Sequence, residues 1–157
     1  MRTIEMEGEI DLPLDVTWRL LHAHLDEATV REIHPWILRG DVESEGDRVE
    51  FNGLSFPRER TVNREMRIAG RRSRTMWHYR IEPPTRYEYT IRFENGSEAS
   101  FENLYSPIPG GTHIETHGQI TMKGIPTFLA MVAARRLMNR AEKEDLAYFQ
   151  RANPKTR

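Results

Sequence analysis

The sequence contains no cysteine. It therefore has no disulfide, no thiolate nucleophile and no Cys-ligated zinc site. No apolar run approaches the ~20 residues of a membrane-spanning helix. The opening Met1-Arg2-Thr3-Ile4-Glu5 lacks the apolar region of a secretory signal, so a cytoplasmic location is the default expectation. Neither sign of charge is in excess, with 23 Lys+Arg against 24 Asp+Glu and a formal net charge of −1. That balance excludes a surface built as a whole for phosphate. There is no Gly-rich loop ending in Lys-Ser/Thr, no dinucleotide fingerprint and no Gly-x-Ser-x-Gly elbow, and no cofactor is expected. The histidines at 22, 24, 34, 78, 113 and 117 show no zinc-type spacing. His22 and His24 do not face each other on a helix, and His113 and His117 fall on the outward side of a strand, so no metal site is expected. Internal repeats, low-complexity tracts and linkers are also missing.

What is present is 157 residues, 30% charged and 38% hydrophobic, enough for one domain with one core. Ile4, Met6, Gly8 and Ile10 alternate with polar residues as a half-buried strand. After Pro13, the residues Leu14, Trp18, Leu21 and Leu25 form the apolar stripe of a helix. A second short helix is predicted over Glu27 to Ile33, ending near His34 because Pro35 disfavours helical geometry before it. From Trp36 to about Met122 the pattern is β. Ser44–Asp47, Ala69-Gly70-Arg71, Glu82-Pro83-Pro84-Thr85 and Pro109-Gly110-Gly111-Thr112 mark turns. Asn95-Gly96 reads as a two-residue hairpin turn with positive φ at both positions. Gly53–Pro57 interrupts the pattern as a bulge or a loop. Gly124-Ile125-Pro126 opens a last helix to about Ala152. The expected class is α+β: an antiparallel meander of about seven strands, two short helices after the first strand and a long C-terminal helix.

Four local motifs stand in this order of elements: Ile10-Asp11-Leu12-Pro13-Leu14-Asp15-Val16-Thr17-Trp18, His34-Pro35-Trp36, Ile81-Glu82-Pro83-Pro84-Thr85-Arg86, and Tyr105-Ser106-Pro107 followed by Gly110-Gly111-Thr112. Together they resemble the helix-grip fold of the START-related superfamily, which includes lipid-transfer domains, pollen-allergen-type proteins and polyketide cyclase/dehydrase-like proteins. The resemblance covers nearly the whole chain. It implies a sheet curled around the long helix, with a cavity between them for small apolar or amphipathic molecules. It places His34 and Trp36 at the cavity entrance, and it carries over no catalytic residue.

Candidate lining follows from periodicity. At about 100° per residue, Phe128, Met131, Val132, Met138, Leu146 and Phe149 share one arc of the last helix, together with Arg135, Asn139 and Glu142. The three polar residues form the polar middle of a ligand cavity, or an internal Arg135–Glu142 ion pair, or an exposed stretch where the helix lifts off the sheet. On the strands, Arg64, Thr75, Tyr79, Tyr89, Asn103 and Thr116 share faces with apolar residues and are expected to point at the helix, with Trp77, Phe101 and Phe128 as apolar wall. The plainer reading is ordinary core tyrosines with satisfied hydroxyls and an Arg64 at the sheet rim.

Three function classes remain. The first is binding or transport of a small hydrophobic or amphipathic molecule, a lipid included, without turnover. The second is a cyclase/dehydratase-type enzyme, with Glu142 or His34 as acid/base and Arg135 stabilising an enolate. The third is a protein-interaction module with a filled core. Residues 58–74 hold seven arginines and two glutamates. That run is read as a solvated strand pair with guarded edges rather than a nucleic-acid surface. The sequence carries no indication of oligomeric state.

Overall fold

A computed structural model describes residues 2–152. The N-terminal alternation forms β1 (Arg2–Ile10), followed by α1 (Leu14–Ala23) and α2 (Glu27–Ile33). The Asp26 side chain caps α2 by accepting from the Thr29 amide at 3.2 Å and the Thr29 hydroxyl at 2.6 Å. The helix ends at His34, before Pro35, as its sequence requires. The chain then runs through β2 (Ile37–Glu45), β3 (Arg48–Phe51), β4 (Leu54–Pro57), β5 (Glu59–Ile68), β6 (Arg71–Glu82), β7 (Arg86–Phe93), β8 (Glu98–Ile108) and β9 (Gly111–Thr121). It closes with α3 (Thr127–Ala152).

Seven strands form one antiparallel sheet in the order β1-β9-β8-β7-β6-β5-β2. This is the expected helix-grip arrangement. The Gly53–Pro57 interruption is neither bulge nor loop. It contributes β4, which pairs with β3 as a separate two-stranded hairpin turned by Asn52 (φ 52°) and Gly53 (φ 77°). The reason is aromatic packing. Phe51 and Phe56 approach the edges of buried Trp18 on α1, at ring distances of 6.3 and 5.5 Å. The Asn95-Gly96 turn is also longer than a two-residue turn. Of the pair only Gly96 takes positive φ, at 81°, while the Phe93 amide donates to Ser97 O and the Ser97 amide to Asn95 Oδ1.

The long helix differs most from its predicted phase. Its inward face carries Ala130, Ala134, Leu137, Met138, Ala141 and Phe149. Arg135, Asn139 and Glu142 are exposed, so they neither line a cavity nor form a core ion pair. Phe128 and Val132 are 59% and 46% exposed, so Phe128 is not a wall residue. The helix is rotated by about a quarter turn from the arc of large apolar residues. Alanines at 130, 134 and 141 let it lie over the aromatic sheet, and side chains of its C-terminal half tie it to the loops around α1 and α2.

Candidate functional site

Register on the concave sheet face places aromatic residues side by side. Tyr79 lies opposite Tyr89, Tyr89 opposite Phe101, and Phe101 opposite Gly118. Trp77 and Tyr89 stack at 5.8 Å, and Tyr89 and Phe101 at 5.2 Å. Gly118 is required there, because a Cβ would stand 2.8 Å from the Phe101 ring. Several predicted polar lining residues satisfy each other. The Thr75 hydroxyl donates to Arg64 O at 3.0 Å and accepts from Trp77 Nε1 at 2.9 Å. The Thr116 hydroxyl donates to Asn103 Oδ1 at 2.7 Å.

Three tyrosines behave differently. No described residue hydrogen-bonds the hydroxyls of Tyr87, Tyr89 or Tyr105. Yet among the described residues no fully buried polar side-chain atom lacks a partner. The three hydroxyls therefore reach accessible space on the concave side, although all three rings are largely covered. Burial pushes each phenol up from its ordinary value. The Asp145 carboxylate adds to that rise at Tyr89 and Tyr105.

Arg64 is not at the rim. It is 4% exposed, with its guanidinium 4.7 Å above the Trp77 ring. It donates to the Tyr79 hydroxyl and, through Nε and Nη2, to both Glu27 oxygens at 3.0 and 2.7 Å. Arg60 Nη2 donates to the same carboxylate at 3.1 Å. This network joins α2 to the sheet, and its charges are paired rather than offered to a ligand.

A second polar cluster ties α3 to the ends of α1 and α2. Asp145 Oδ1 lies 2.8 Å from His24 Nε2 and 3.1 Å from His34 Nε2. Glu144 Oε2 accepts from His34 Nδ1 at 2.6 Å and from Trp36 Nε1 at 2.9 Å. Glu144 Oε1 accepts from Arg140 at 2.7 Å. His24 Nδ1 donates to Leu20 O at 2.8 Å. Burial would raise the Asp145 carboxyl, but the His24 and His34 hydrogen bonds and charges outweigh it and hold it at about 2. Burial likewise opposes a charge on His24, while Asp145 and Leu20 O raise its pKa above the ordinary value.

The chain matches the family model described as polyketide cyclase / dehydrase and lipid transport over residues 1–152. It belongs to this family. Solved structures agree in fold. The Zhui aromatase/cyclase from a Streptomyces species superposes with TM-score 0.69 at 15% identity, covering 99% of this chain and 96% of that one. Ara h 8.0201 gives TM-score 0.68 at 18% identity, covering 94% and 97%. A START superfamily protein from Mycobacterium smegmatis gives 0.65 at 10% identity, covering 96% and 98%. No curated protein matches the chain.

Within this polyketide cyclase/dehydrase and lipid transport fold, the predicted residues divide cleanly. Trp77, Tyr79, Tyr89, Phe101, Asn103, Thr116, Arg64 and Thr75 share the concave face, and Met131 packs on its Phe101 end. His34 and Trp36 meet α3 through Glu144. Asn139 instead lines a groove of about 530 Å³ on the solvent side of α3, with Arg136, Arg140 and Lys143. Sequence reading gave no site role to Tyr87, Tyr105, Glu27, Glu144 or Asp145, and weighed His24 only against His22. The available signal was the alanine row 130, 134, 141, which continues at i+4 to Asp145. Among the described residues no helix is long and apolar enough to cross a membrane.

Proposed function

We propose that this protein binds a small hydrophobic or amphipathic molecule, carrying at least one hydrogen-bonding oxygen, between the concave sheet face and α3. The observation that carries this reading is the set of Tyr87, Tyr89 and Tyr105 hydroxyls facing accessible space without protein partners. Stacked rings of Trp77, Tyr89 and Phe101 supply the apolar surface, and the hydroxyls fix orientation. Family membership supports both ligand carriage and cyclase-like chemistry. Carriage is favoured because the Arg64 guanidinium is committed to Glu27 and Tyr79, and Arg135 and Glu142 face outward. In the enzymatic reading, His34 is the remaining acid/base candidate, and its ring is held by two carboxylates.

The test is native mass spectrometry of the purified protein, with release and identification of any bound molecule, followed by thermal-shift titration with lipids, isoprenoids and polyphenols. Binding that weakens in Tyr89→Phe supports the reading. An empty protein whose melting temperature no compound shifts would return weight to a protein-interaction role.

A further inference from the structure

His24, His34 and Asp145 come from the end of α1, the end of α2 and the C-terminal half of α3, with His24 and Asp145 121 positions apart. Their donor atoms, two Nε2 and one Oδ1, all lie within 4.8 Å of one another. Asp145 Oδ1 stands 2.8 and 3.1 Å from the two nitrogens. Bonds of about 2.0–2.2 Å from a shared cation place neighbouring donors roughly 3 Å apart, which the two Asp145–imidazole distances match.

The outer contacts point the same way. Each ring has its Nδ1 engaged by an acceptor: His24 by Leu20 O at 2.8 Å, His34 by Glu144 Oε2 at 2.6 Å. Leu20 O only accepts, so His24 Nδ1 keeps the proton and Nε2 is the atom able to present a lone pair. The Glu144 carboxylate does the same for His34, and is itself fixed by Trp36 and Arg140. The two ring centroids are 5.7 Å apart, and both Nε2 atoms reach the same Asp145 oxygen.

We propose that His24, His34 and Asp145 form a three-ligand site for a first-row divalent transition-metal ion, with Glu144 and Leu20 O orienting the two imidazoles. Two imidazoles and one carboxylate suit zinc, cobalt(II) or iron(II) and leave coordination positions open. The site does not depend on which organic molecule the concave face binds.

The experiment uses the full chain stripped with a chelator and titrated with Zn²⁺ by calorimetry, with Co²⁺ absorbance as a second readout. One ion per chain is expected, with ligand-field bands of nitrogen–oxygen coordination. Asp145→Asn and His24→Gln abolish this binding, and Glu144→Gln weakens it ~10–100-fold. His113→Ala leaves it unchanged, which controls for the outer-surface group Glu7, His113 and Glu115. Because the ligand variants can lose stability, imidazole nitrogen NMR on the unmodified chain gives an independent reading. Zinc must shift Nε2 of His24 and His34 while Nδ1 stays protonated. The proposal is overturned if no ion binds, if binding survives Asp145→Asn but not His113→Ala, or if those two rings are unmoved at saturating zinc.

Discussion

Gly40 makes room for Glu27: a methyl group at Gly40 would collide with the Glu27 carboxylate. Gly40 lies opposite Arg64 in the β2–β5 ladder, so the glutamate crosses the strand there to reach Arg64 and Arg60. Gly40→Ala should therefore cost ~1–3 kcal/mol by displacing the partner of two buried cations. Urea denaturation measures it. In a Glu27→Ala background the same substitution should cost little, because the clash is gone. An additive pair would mean that Gly40 serves the strand rather than the carboxylate.

Tyrosine-to-phenylalanine changes should separate binding from stability. At Tyr87, Tyr89 and Tyr105 no protein hydrogen bond is lost, so stability should stay within ~0.5 kcal/mol of the parent. Tyr79→Phe removes the acceptor of the buried Arg64 and should cost ~1–3 kcal/mol. Denaturation curves of the four variants check the contrast. Equal losses at all four would remove the basis for an accessible polar lining.

Alkaline titration reports on the same face. Burial raises the phenols of Tyr79, Tyr87, Tyr89 and Tyr105. Unfolded tyrosine ionises near ~10, so the native state holds these protons more tightly than the unfolded chain. Their stabilising contribution is complete below that pH and is lost as pH rises toward the folded values. Phenolate absorbance should then appear late and together with unfolding monitored by circular dichroism. Early, gradual ionisation of all five tyrosines would show that burial does not hold these protons.

Much of this architecture was legible in the chain. Alternation at Thr75, Trp77, Tyr79 and Ile81 fixed which strand face is concave, and Pro35 marked the end of α2. The phase of α3 was not legible from large apolar residues, because Phe128, Val132 and Leu146 remain exposed while small alanines face the sheet. The cluster of His24, His34 and Asp145 left no spacing signal. Its members meet only when α3 closes over α1 and α2, and tertiary placement of that kind has no local period. Arg64 read as either a cavity-lining or a rim residue, because its partner, Glu27, sits on a different element far upstream.

The rotated helix gives the sharpest contrast. Arg135 and Glu142 point to solvent, whereas Ala141 faces the aromatic cluster beside Leu137. Arg135→Ala and Glu142→Gln should leave ligand affinity and melting temperature unchanged, since neither side chain approaches the concave face. Ala141→Leu adds volume where α3 overlies the tyrosines, so it should lower affinity roughly tenfold or more, about 1.4 kcal/mol. Any loss of stability from overpacking reads out separately by denaturation of the unliganded protein. Titration with whichever compound native mass spectrometry identifies gives the affinities. Loss of binding in Arg135→Ala with normal binding in Ala141→Leu would mean that α3 turns its other face to the sheet when a ligand is held.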